Sequence, residues 1–243
     1  MNELSERQTK ILKAIIEEYI ETAEPVGSEK IEKKYPLEVS PATIRHEMMT
    51  LTDLGYLRQP HTSSGRIPTP VALKFYIKEL MEEKQMSVTD EVSAKERVWD
   101  YRFEFDRLMQ EVTRALAEKT KTTVVAQTDK GEIYSAGYAN LLDMPEFYDI
   151  DITRTVLELL DESERLHQIF DRPFGDDSVH VLLGEELEKG YLSSCGLVFT
   201  HFEAGSQKGA LGAIGSCRLN YPVVIPTVRY FGNLITEMTK NWK

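Results

Sequence analysis

Residues 40–69 read SPATIRHEMMTLTDLGYLRQPHTSSGRIPT, and the order of local signals in this stretch decides the fold. Ser40 suits a helix N-cap, and Pro41 follows at the first helical position, where its missing N–H costs nothing. A helix is predicted from Pro41 to Leu54, with Gly55 as its stop. Tyr56 and Leu57 then begin a short strand, PHTSSG is a turn-rich tip, and Arg66 and Ile67 return as a second strand. Thr69-Pro70 caps another helix running through Leu73, Phe75, Tyr76, Ile77 and Leu80. Upstream, Ser5 and Gln8 form a capping box. Behind it Ile11, Leu12, Ile15, Ile16, Tyr19 and Ile20 make one apolar helical stripe, ended by Pro25 and Gly27. Ser28 caps a short helix, SEKIEKKY, that stops before Pro36. Three helices, a two-stranded hairpin and a fourth helix, in that order, predict an N-terminal winged helix-turn-helix over residues 1–84.

The third helix carries the chemistry. At about 100° per residue, Ile44, Met48 and Leu51 share the core side, while Ala42, Arg45, His46, Met49 and Asp53 fall on the opposite side. A recognition helix presents such a free face to base edges in the major groove of double-stranded DNA. Arg45 is the natural base reader, because its fork matches guanine O6 and N7. His46 can donate to a base or a phosphate, and Met49 and Ala42 can touch a thymine methyl. Ser40, Thr43 and the helix N-terminus offer hydroxyls and N–H groups to phosphate. The hairpin tip adds His61, Thr62, Ser63, Ser64, Gly65 and Arg66. Small residues there let a backbone approach phosphate closely, and Arg66 is expected to enter a minor groove or grip the backbone. A lone surface arginine or a Thr-Ser-Ser-Gly turn is ordinarily unremarkable. What favours DNA is that both lie at the two places where such a domain meets it.

The chain has 243 residues and a net charge of −11, unpromising for a nucleic-acid binder until the charge is located. Residues 1–84 hold 12 Lys and Arg against 14 Asp and Glu, and the remainder 17 against 26. Within 41–78 the balance reverses, with Arg45, Arg58, Arg66, Lys74 and Lys78 against only Glu47 and Asp53. Salt screens charges beyond about 10 Å, so a locally basic face serves even on an acidic protein. The 41% hydrophobic and 28% charged composition is that of a globular protein. No apolar run is long enough to span a bilayer, and MNELSERQTK lacks the apolar segment of a secretory signal. Cys195 and Cys217 have neither metal-ligand spacing nor the look of a disulfide framework, so a reducing cytoplasm is expected. The histidines at 46, 61, 167, 180 and 201 are not spaced as metal ligands either. Neither a phosphate-binding glycine loop nor a nucleophile elbow occurs, and the neighbouring Glu185 and Glu186 read as a solvated pair. No cofactor, metal or enzyme activity is expected.

Beyond the polar EEKQMSVTDE, residues 90–120 read as one long helix, with strands at Thr122–Ala126, Ile133–Ala136 and Val179–Leu183. A hairpin comes next, CGLVFTHF and ALGAIG joined by EAGSQKG, with helices at 151–170 and 222–240. Residues 85–243 therefore form a second, α+β domain.

The run ATIR, EM, LGYL, QPHTS and GRIPT within residues 40–69 closely resembles the N-terminal signature of HrcA, the heat-inducible transcription repressor family of bacteria. YANLLDMPEFYD, GEEL, SSCGLVFTHF and ALGAIGSCRLNYPVVIP resemble its later blocks, so the likeness covers most of the chain. It implies a repressor that binds an inverted repeat of the CIRCE type upstream of chaperone operons. It also implies a GAF-like domain after the winged helix and dependence on a GroEL-type chaperonin for activity. This chain departs from the family at His46, usually Asn, at Met49, usually a small residue, and at Ser216 and Cys217, usually Pro-Thr. An inserted domain that contributes to dimerisation in the family falls between TTVVAQT and NLLDMPEF, where this chain has about a dozen residues. A homodimer is still expected, formed through the helix at 90–120 and the GAF-like domain. Two other readings are a winged-helix regulator whose GAF-like domain senses a small molecule, and an enzyme or RNA-processing protein tethered by a winged helix. The last needs a convergent polar cluster that the sequence does not contain.

Overall fold

Ser5 Oγ accepts the Gln8 amide and the Gln8 side chain accepts the Ser5 amide, closing the capping box that opens α1 (Glu6–Thr22). This is a computed structural model that describes residues 4–61, 64–187 and 190–240. The chain divides into two compact units, Met1–Glu82 and Glu83–Lys243. In the first, α2 spans Ser28–Lys34 and α3 spans Pro41–Asp53, followed by the antiparallel strands β1 (Leu57–Arg58) and β2 (Ile67–Pro68). Helix α4 (Pro70–Phe75) continues through a π-helical turn to Leu80. Gly27, not Ser28, is the N-cap of α2, and Ser28 is buried in its first turn. Gly55 ends α3 with φ +81°, a left-handed conformation that costs glycine little. Ile11, Leu12, Ile15, Ile16, Val26, Ile31, Ile44 and Leu51 form the fully buried centre of this unit.

Two carboxylates on the core side lock the helices. Glu18, 1% exposed, lies between Lys30 Nζ at 2.8 Å and Lys34 Nζ at 2.7 Å, tying α1 to α2. Burial alone raises its pKa, but the two ammonium groups outweigh burial and hold it below the ordinary value of 4.5. A depressed carboxylate pKa adds stability above the unfolded value and loses it as the pH falls through the folded value. Acidification below about pH 4.5 should therefore loosen this unit. Glu18→Gln should cost about 1–2 kcal/mol, less than a sealed ion pair because the half-exposed lysines can turn to water. Thermal melts of the two proteins from pH 7 to pH 3 check this. A variant with unchanged stability and an unchanged acid slope would contradict it.

The second unit is built on a five-stranded antiparallel sheet in the order β4-β3-β7-β6-β5. Its strands are β3 (Thr123–Thr128), β4 (Ile133–Ala136), β5 (His180–Leu183), β6 (Cys195–Ala204) and β7 (Gln207–Ser216). Helices α6 (Phe105–Thr120) and α9 (Tyr221–Thr239) pack on one face, with α5 (Val88–Trp99) against α6. On the other face, α7 (Ile150–Asp161) and α8 (Ser163–Phe170) contribute Val156, Leu159, Leu166, Ile169 and Phe170 to a core with Val125, Leu197, Phe199 and Ile214. A sheet covered on both sides explains why β3 is buried along its whole length and shows no alternation. The result is the expected α+β architecture.

The continuous helix expected at 90–120 is instead a helical hairpin, broken between α5 and α6 at Asp100–Glu104. Arg97 reaches Glu111 and Glu118, and Lys119 reaches Asp90, so α6 runs back along α5. The helix expected at 151–170 is likewise two. Ser163 Oγ serves the buried Gln127 amide at 2.7 Å and donates to Gly131 O, and this tertiary demand bends the chain at Glu162. Cys217 Sγ donates to Cys195 O at 2.9 Å, and burial pushes both thiols up to about 12, so they stay protonated packing groups. Among the described residues, no helix is long and apolar enough to cross a membrane and no cluster is suited to a metal ion.

Candidate nucleic-acid interface

The recognition helix is held from behind. Glu47, 4% exposed, accepts hydrogen bonds from Arg7 Nε at 2.8 Å and Gln8 Nε2 at 3.1 Å, pinning α3 to the first turn of α1. The sequence reading missed Glu47, which lies on the core side beside Ile44, Met48 and Leu51. Its place between two apolar neighbours at helical spacing is the signal that could have found it. Because Arg7 neutralises Glu47, the positive excess over 41–78 is larger at the surface than the bare count suggests.

The opposite face of α3 is open, as its periodicity requires: Ala42, Arg45, His46 and Asp53 are exposed, and Met49 is 52% exposed. Arg45, His46 and Met49 therefore stand together on the outward face of a helix fixed by Glu47. Ser40 Oγ accepts the Thr43 amide at 3.2 Å and lies 3.0 Å from Thr43 Oγ1. The two hydroxyls are brought together but partly engaged, and the Ile44 amide bonds Ser40 O. Since Pro41 has no N–H, the first-turn amide left for a phosphate is that of Ala42.

In the wing, Ser64 organises the turn. Its amide and Oγ both donate to His61 O, its Oγ accepts the His61 amide, and its carbonyl accepts from Gln59 Nε2. His61 is exposed; Thr62 and Ser63 lie outside the described residues. Gly65 and Arg66 are placed differently from expectation. A Cβ on Gly65 would lie 2.4 Å from both the carbonyl carbon and the oxygen of Val26, so this glycine exists for close packing on the loop after α1. Arg66 is not at the tip. It exchanges backbone hydrogen bonds with Val26 at 2.8 and 2.9 Å, and its Nε donates to Thr52 Oγ1 at 3.2 Å. The half-buried arginine thus braces the wing base against α3, with its other guanidinium N–H groups still available as donors.

The profile described as "Winged helix-turn-helix transcription repressor, HrcA DNA-binding" matches residues 3–81, and the "HrcA protein C terminal domain" matches residues 70–225. The heat-inducible transcription repressor HrcA of Symbiobacterium thermophilum is 27% identical over 338 aligned positions, covering 98% of this chain and 99% of the relative. That of Carboxydothermus hydrogenoformans is 26% identical, over 98% and 99%. An alignment of 338 positions against a chain of 243 residues leaves at least 95 positions to the relative alone. Since both chains are covered nearly end to end, those positions are internal. A crystal structure titled as a hypothetical protein superposes with a TM-score of 0.78 at 20% identity, over 98% of this chain and 99% of that one, a likeness of fold. With one profile on the winged helix and the other over most of the second unit, the chain belongs to the HrcA family.

Proposed function

We propose that this protein is a heat-shock transcription repressor that binds an inverted-repeat, CIRCE-type operator before chaperone genes. The observation that carries the proposal is the outward face of Arg45, His46 and Met49 on a helix braced by Glu47, within a domain matching the HrcA DNA-binding profile. Arg45 reads guanine, Met49 and His46 shape the neighbouring preference, and Ser40, Thr43, His61, Ser64 and Arg66 contact the backbone. Two copies read the two half-sites, which requires a homodimer with half-sites about one helical turn, or a multiple, apart. A GroEL-type chaperonin sustains activity, and its diversion by heat relieves repression.

The test is transcription in vitro from a chaperonin promoter carrying the inverted repeat. Added protein should silence it, scrambling one half-site should restore transcription, and chaperonin should deepen repression. Repression that ignores the repeat would overturn the proposal. Relief by a small metabolite, with no chaperonin effect, would favour the sensor reading of the GAF-like domain.

A further inference from the structure

The outward side of α5 is an apolar stripe without a partner among the described residues. Val88 is 77% exposed, Val92 50% and Trp99 46%, and Phe103 just beyond the helix is 75% exposed. On a helix, Val88, Val92, Lys95 and Trp99 fall within an arc of about 60°, at the alternating four- and three-residue spacing of a helix–helix seam. The inward side of the same helix is already used. Ala94 and Val98 are buried, Arg97 holds Glu111 and Glu118 on α6, and Tyr230 on α9 donates to Glu91 O. The Arg102 guanidinium lies 4.6 Å from the Trp99 ring and 4.5 Å from the Phe103 ring, joining the two aromatics into one patch. A hollow of about 460 Å³ opens between Val92, Lys95, Glu96, Trp99 and Asp100. Contiguous exposed apolar surface of this kind marks an interaction site.

We propose that this stripe is where a second copy of the chain docks, α5 against α5 across a two-fold axis. The occupant is argued from charge. Lys95 lies on the stripe and Glu96 on its flank, so a two-fold contact brings a cation of one protomer against an anion of the other, twice, with Lys95 exchanging its exposed pairing with Glu237 for the second copy. A surface that complements itself in this way forms a closed dimer. The position suits the proposed reading of an inverted repeat, on which this inference rests. Only Met81–Ser87 separates the end of the winged helix from α5. Within that connection Glu83 and Lys84 are already held on α9, by Arg229 and by Pro222 O. A two-fold contact at α5 therefore joins the two chains close in sequence to both winged helices.

Sedimentation of the full chain at micromolar concentration tests this. Wild type should be a dimer, and V92E/W99E a folded monomer by circular dichroism. The variant should bind a single half-site duplex as wild type does but the inverted repeat about 100-fold or more weaker, the avidity lost with pairing. A second set guards against misfolding: E96K should weaken the dimer by placing like charges across the axis, and K95E/E96K should restore it. The exposed Lys95–Glu237 pair lost in the double variant contributes little. A wild-type monomer would overturn both the surface and the dimeric reading. A dimer indifferent to all these changes, or one dissociated only by Y148E/I150E at the exposed Tyr148 and Ile150 of the second unit, would overturn the surface and leave that reading standing. Dissociation by W99E in a protein blind to the repeat would uphold the surface while the operator reading fails.

Discussion

Replacing Arg45 with alanine should cost about 1–3 kcal/mol of operator affinity per half-site, a 5- to 150-fold loss, and relax discrimination at one base pair. Arg45 is exposed on the outward face of α3, and among the described residues no side chain pairs with it. Its guanidinium is therefore not drawn into the fold, and the backbone beneath is fixed by Ile44, Glu47 and Met48. Truncation removes the proposed bidentate contact without loosening the helix, so stability should hold while specificity falls. Arg66→Ala should behave differently. That arginine braces Thr52 and, in the proposed docking, offers its remaining donors to phosphate, so its loss should weaken binding to all sequences alike and lower the salt slope by about one. Fluorescence anisotropy on operators substituted one base pair at a time separates the cases. A uniform loss from Arg45→Ala would remove it from base reading.

The largest effect on stability is expected at Gly65. A methyl group there would meet Val26 C and O at 2.4 Å and Pro25 C at 2.8 Å, all backbone atoms that cannot rotate aside. Relief requires moving the wing off the loop after α1, which breaks both hydrogen bonds between Val26 and Arg66. Overpacking costs about 1–3 kcal/mol and each lost hydrogen bond about 1 kcal/mol, so Gly65→Ala should cost about 3 kcal/mol or more. Gly55→Ala is the control. Its φ of +81° is strained for alanine but its surroundings are open, so about 1 kcal/mol is expected. Urea unfolding of the full chain checks both. A Gly65→Ala protein as stable as wild type would mean that the wing does not pack there.

What was legible in the sequence was what local chemistry writes. The Ser5–Gln8 box, Ser40-Pro41, Gly55 and Thr69-Pro70 each satisfy or end a helix within a few residues, and those ends fall where their caps place them. The free face of α3 was legible because periodicity separates Ile44, Met48 and Leu51 from Arg45, His46 and Met49. What long-range contacts decide was not. Glu47 is buried because Arg7 and Gln8, some 40 residues earlier, come to meet it. Gly65 reads as a turn residue in a Ser-Ser-Gly string, yet its reason is Val26, far away in sequence. Neither break, at 100–104 or at Glu162, holds a glycine or proline. The first arises from α6 folding back on α5, the second from a buried Gln127 that needs Ser163.

The central claim is that α3 reads a specific inverted repeat. It is tested most directly by titrating the full chain against two duplexes at one physiological salt concentration. One carries a CIRCE-type inverted repeat; the other has both half-sites scrambled. The repeat should bind at least about 1000-fold more tightly, and Arg45→Ala should erase much of that difference. Equal affinity for the two duplexes would contradict it.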